Sequence, residues 1–159
     1  MGILAGDALL NFAFETGASA FDYGEDPGRV AKALQILAKK AGVYGMIGGQ
    51  VVDVQSSGHA ISKEQLDFIY KLKTSALLEA AMMTGAVLAG AAEEEVWTIE
   101  QVASDVGVAF QVRDDILVVM GTLESSGKPV HIGDKNDKTH LLPLKGLEQT
   151  TADGDELRD

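Results

Sequence analysis

The stretch Phe110-Gln111-Val112-Arg113-Asp114-Asp115-Ile116-Leu117-Val118 sets two adjacent carboxylates inside an apolar segment. Uncompensated charge in such surroundings is costly, so a bound cation or a basic partner would account for it. On a helix, residues i and i+4 share a face. A run of the form Asp-Asp-x-x-Asp therefore aims its first and last carboxylates at one ion, with the middle one alongside. Hard oxygen ligands suit Mg²⁺, which completes its shell with water and substrate phosphates. Here the i+4 partner of Asp114 is Val118, while Gln111 lies one turn before Asp115 on the same face. The competing reading is an exposed acidic pair neutralised by Arg113 or a lysine. From these residues alone that blander reading weighs more.

Lys73-Thr74 stands among mostly apolar neighbours. A lysine beside a hydroxyl can clamp a phosphate, the ammonium acting as a point charge. Taken locally, a lysine snorkelling to solvent fits better. Gly127-Lys128-Pro129 and Lys135-Asn136-Asp137-Lys138-Thr139 gather lysines in a strongly acidic chain. They could neutralise a diphosphate leaving group, or be ordinary solvated loop lysines, with little to choose between the two. Gly48-Gly49-Gln50 with Asp53 is a buried polar element in which Gln50 is expected to bridge helices. These groups fit one chemistry together. A diphosphate held by Mg²⁺ and lysines departs and leaves an allylic cation in an apolar helical cavity that excludes water.

The elements that must position these residues are helical. Apolar residues Leu4, Ala8, Leu9, Phe12 and Ala13 recur at helical spacing over residues 3–17, with a break from Gly17 to Gly24. Asp26-Pro27 starts a second helix that runs to about residue 41, with Val30, Leu34, Ile36 and Leu37 inward and Lys39 and Lys40 favouring its C-terminal dipole. Residues 45–54 form a tightly packed, glycine-rich helix. Ser62 with Gln65 forms a capping box for a helix that continues towards Gly90, with a kink expected near Gly85. Glu93-Glu94-Glu95 reads as a solvated turn, and Thr98 or a neighbour caps a last long helix to about Met120. Residues 121–133 lapse into loop and 135–149 look partly helical. The expectation is an all-α bundle of about five or six helices, with one domain over 1–149 and an acidic, frayed tail over 150–159.

Bulk properties narrow the function. The 159 residues are 46% hydrophobic and 23% charged, ample for one domain with a real core. The formal charge of −11 excludes a general nucleic-acid binder, which needs a basic face. The chain has no cysteine, so thiolate metal sites and disulfides are excluded. His59, His131 and His140 lack zinc-ligand spacing. The start lacks a basic leader region. The apolar run Ala80 to Ala92, about 13 residues, is short for a bilayer core of about 30 Å. The expectation is a buried core helix, no membrane span, and a cytoplasmic location.

Ile3-Leu4-Ala5-Gly6-Asp7-Ala8-Leu9-Leu10, Gly45 to Asp53, Lys73-Thr74, Phe110 to Leu117, and Gly127-Lys128-Pro129 followed by Lys135 to Thr139 form an ordered set. In that set the chain resembles the trans-isoprenyl diphosphate synthases (polyprenyl synthetases), and among them the bacterial farnesyl and geranylgeranyl type, over nearly all of residues 1–149. The resemblance implies an isoprenoid-synthase-type helical bundle, usually a homodimer. It implies condensation of an allylic diphosphate with isopentenyl diphosphate using Mg²⁺. It makes Asp114 and Asp115 metal ligands of the second aspartate-rich motif, and places Lys73, Thr74, Gln111, Lys128 and Lys138 near the allylic diphosphate. Lys73, Thr74, Gln111, Asp114 and Asp115 become the catalytic set.

The same resemblance implies a chain that begins after the family's first aspartate-rich motif and lacks most of the closing C-terminal helices. Val118 stands at the last aspartate of the second motif, Thr122 where aspartate is frequent, and Ser75 where glycine commonly follows Lys-Thr. The loop Val130 to Asp134 departs from the usual Gly-x-Asp element. The expectation is therefore a truncated prenyltransferase, weak or inactive alone. The alternatives are a non-catalytic prenyl-diphosphate-binding or regulatory subunit pairing with a full-length synthase, and a self-associating structural remnant whose uncovered helix faces favour oligomers.

Overall fold

Asp26 and Pro27 show how this sequence writes its helices. The Asp26 Oδ1 accepts the Arg29 backbone N–H at 2.9 Å, and Pro27 occupies the first position, where no amide donor is missed. In the computed structural model, which describes residues 1–24, 26–59 and 61–120 with 115–120 as backbone, this helix is α2, Pro27–Ala41. It follows α1 (Gly2–Ala18) and a 3-10 turn (Ser19–Tyr23). After it come α3 (Met46–Ser56), α4 (Lys63–Tyr70), α5 (Ala76–Ala89) and α6 (Glu93–Met120). The described residues contain no strand, so the all-α expectation stands.

Both halves of the expected capping box open α4. The Gln65 N–H donates to Ser62 Oγ at 3.2 Å, and the Ser62 N–H donates to Gln65 Oε1 at 3.1 Å. At the far end of the rod, Gly90 takes φ 85°, and the Ala91 N–H closes back on Ala86 O at 3.0 Å. That satisfies carbonyls the helix would otherwise orphan. No break separates α4 from α5. A π-turn, Lys71–Ser75, joins them into one rod. The irregularity in this helix thus falls at residues 71–75 and not near Gly85. Glu93–Glu95 also differ from expectation: they form the first turn of α6, where acidic groups suit the positive end of the helix dipole. Glu95 Oε2 accepts the Ala92 N–H at 2.7 Å, and Thr98 sits inside the helix, its hydroxyl donating to Glu94 O.

The rod is central. Its C-terminal part packs on α2 and the start of α6 through Ala33, Ile36, Met83, Val87 and Val96. Its N-terminal part packs on α6 through Leu66, Ile69, Tyr70 and Val112, with Val52 of α3 and Val108 beside them. Burying Leu66, Ile69 and Val112 contributes about 1.5–3 kcal/mol each. The π-turn lies between the two apolar clusters.

Two glycines let neighbours press on that turn. A Cβ on Gly49 of α3 would stand 2.4 Å from the Lys73 amide nitrogen, and one on Gly107 of α6 would stand 2.6 Å from Ser75 Cα. By contrast α1 buries none of its residues: Ile3, Leu4, Leu9 and Phe12 are all exposed. By length and composition Lys63–Ala89 could cross a bilayer, and the apolar run 80–92 covers only part of it. Its buried Glu79 and two-sided packing are those of a core helix, which passes the same test.

Candidate functional site

The π-turn is where the polar residues converge. Its widened backbone carries Lys73 and Thr74 side by side at the junction of α3 and α6. Short π-turns inside helices are frequent at functional sites. Ser75, fully buried, anchors the turn by donating to Ser104 O of α6 at 3.0 Å. Thr74 Oγ1 donates to Gln111 Oε1 at 2.7 Å. Lys73 Nζ meets Asp53 Oδ2 of α3 at 2.5 Å. The π-turn thus makes one polar contact with α3, through Lys73 and Asp53, and another with α6, through Thr74 and Gln111.

Asp114 follows Gln111 by one turn on α6, on the same face. It is partly buried and held by an interaction of its own. Asp115 continues the α6 backbone, and its side chain lies outside the described residues, as do Lys128 and Lys138. Among the described residues no group of three histidine or acidic side chains converges as a metal cage. Two adjacent carboxylates suit a Mg²⁺ that shares its shell with phosphate oxygens and water, not a closed protein cage. On that donor chemistry the residues fit a shared ion.

Two features escaped the sequence reading. Gln50 is exposed, and the bridge from α3 is made by Asp53 instead. The second is a charged clamp one turn beyond the π-turn. Lys40 pairs with Glu79 of α5 and, at 2.6 Å, with Glu100 of α6. Burial pushes the Lys40 ammonium down, but hydrogen bonds to Glu100 and Glu79, with their charges, push it above its ordinary value. A lone acid at residue 79 inside an apolar helix was the visible signal. A groove of about 800 Å³ opens nearby, between α2, the end of α5 and the start of α6, with Lys32, Lys39, Val87 and Trp97 in its walls. Lys73, Thr74 and Gln111 do not line it.

The whole of residues 1–159 matches the family model for polyprenyl synthetase. The chain is 36% identical over 155 residues to the farnesyl diphosphate synthase of Geobacillus stearothermophilus, covering 96% of this chain and 52% of that enzyme. It is 41% identical over 160 residues to a chloroplastic geranylgeranyl pyrophosphate synthase of Arabidopsis thaliana, covering 99% of this chain and 46% of the relative. The fold superposes with TM-score 0.86 and 31% identity on a Helicobacter pylori geranyltransferase solved with magnesium and isoprenyl diphosphate, over 98% of this chain and 50% of the other. The chain spans about half the length of the curated relatives it matches.

Proposed function

The chain belongs to the polyprenyl synthetase family, and on that premise we propose that it forms the diphosphate-binding side of a prenyltransferase centre. The observation that carries the proposal is the meeting of Thr74 with Gln111, from segments 37 residues apart, on the π-turn that also carries Lys73. In this reading the allylic diphosphate sits against Lys73, Thr74 and Gln111. When the bond from the allylic carbon to the diphosphate oxygen breaks, negative charge grows on the departing group. A fixed ammonium and fixed hydrogen-bonding side chains stabilise that charge more than they stabilise the ground state. Asp114 and Asp115 would hold Mg²⁺, which when bound supplies further charge neutralisation at the leaving diphosphate. The acceptor in the proposed reaction is isopentenyl diphosphate. Lys128 and Lys138 remain part of the proposal as further diphosphate contacts.

A second reading has its own support. The uncovered apolar residues of α1 favour a chain that works against another subunit, either a second copy or a full-length synthase. The experiment that tests the main reading is a Mg²⁺-dependent transfer assay with geranyl and isopentenyl diphosphates, run beside calorimetry with farnesyl diphosphate. The expected result is farnesyl diphosphate binding that Lys73→Met weakens at least tenfold. No binding with or without Mg²⁺ would sink the diphosphate site. Binding without product would leave a non-catalytic binding module.

A further inference from the structure

Asp53 stands in the way of the ligand just proposed. Its carboxylate reaches Lys73 Nζ at 2.5 Å, with the two side chains 16% and 36% exposed. The pairing follows from how α3 seats. Gly49 presses its backbone on the π-turn amide of Lys73, and Asp53 lies one turn further along the same face of α3. A short side chain on a helix fixed in this way has little freedom to be elsewhere. At this exposure the pair adds little to stability, so its consequence lies in the charge that a ligand meets at the ammonium.

We infer that Asp53 is a resident counter-anion of Lys73, so that a diphosphate takes the lysine in competition with this carboxylate. The inference rests on the reading of Lys73 as a diphosphate ligand. The ammonium has three protons and the carboxylate occupies one. A ligand with a single negative charge gains little by displacing or crowding a carboxylate already in place. A diphosphate brings more charge and a second phosphoryl group, which in the proposed reading is offered to Thr74, the next residue in the chain, and its hydrogen-bond partner Gln111. Asp53 thereby sets a threshold that favours diphosphates over weaker anions. It also repels pyrophosphate left behind after transfer, which helps the site to empty.

The test is calorimetric titration of inorganic pyrophosphate, without divalent cation, into the 159-residue chain and its variants. Asp53→Asn removes the charge and keeps the shape, and is expected to bind pyrophosphate roughly fivefold tighter than wild type. Asp53→Ala is expected to shift affinity the same way. Lys73→Met, alone or combined with Asp53→Asn, is expected to lose both the binding and the gain. Circular dichroism and melting curves establish that each variant is folded. If Lys73→Met loses binding while both folded Asp53 variants bind no tighter than wild type, the counter-anion is refuted and the diphosphate site survives. If Lys73→Met binds like wild type, or if neither wild type nor Asp53→Asn binds, the diphosphate site falls and the counter-anion falls with it.

Discussion

Lys40 holds Glu79 and Glu100 together across three helices, with Glu79 only 3% exposed. Removing the cation leaves buried carboxylate charge without its partner. Lys40→Met is therefore expected to destabilise by about 3 kcal/mol, read from chemical denaturation. The pH dependence has a definite sign. The folded-state value of Lys40 lies above its ordinary 10.5, so its contribution to stability is fully present below that value and is lost as pH rises through the folded value. Melting temperature should fall over the alkaline range in the wild type and fall less in Lys40→Met. A wild-type profile no steeper than the variant's would rule this out. At this scale the residue types were legible and the pairings were not. Lys73, Thr74, Gln111 and Asp114 stand out by chemistry alone. That Lys73 meets Asp53, 20 residues away, depends on how two helices cross, which no spacing within one helix encodes.

The starts of α2 and α4 were the most legible elements, because caps act over a few adjacent residues, whereas the start of α6 was not, Glu93–Glu95 forming its first turn. Asp26-Pro27 and Ser62 with Gln65 behave as their sequences say. The π-turn was invisible because its cause is lateral: Ser104 and Gln111 of α6 draw on Ser75 and Thr74, and glycines on two neighbouring helices make room. The expectation of a kink near Gly85 rested on intrinsic propensity, but nothing approaches that position and the helix passes through it. This contrast yields a matched set of substitutions. Gly107→Ala would place a Cβ within 2.3 Å of Ser75 Oγ, and Gly49→Ala would crowd the Lys73 amide. Each is expected to cost about 1–3 kcal/mol, and Gly49→Ala should also weaken pyrophosphate binding by shifting Lys73. Gly85→Ala fills open space in a helix and should stabilise by about 0.5–1 kcal/mol. Urea unfolding of the set reads the order directly, and equal effects at all three positions would contradict the packing account.

For the molecule as a whole, composition and helical periodicity were enough to give the all-α class, while the uncovered face of α1 could be located only in three dimensions. A 17-residue helix with no buried residue draws little stability from packing on the described residues. Light scattering is expected to find a concentration-dependent oligomer, and replacing Leu4, Leu9 and Phe12 with polar residues should shift it towards monomer. A monomer at high concentration in the wild type would contradict this. The rod from Lys63 to Ala89 has a further consequence. Its apolar clusters lie towards opposite ends, and the junction between them is polar and widened. If that junction couples the two ends less tightly than continuous apolar core, native-state amide exchange will show them opening as separate units. An anion bound at Lys73 and Thr74 would rivet the junction and slow amide exchange at both ends together, by a factor that rises as 1 + L/Kd, where L is the free anion concentration. The ligand would then do for this chain what extra core does for a larger one: make its two ends rise and fall as one.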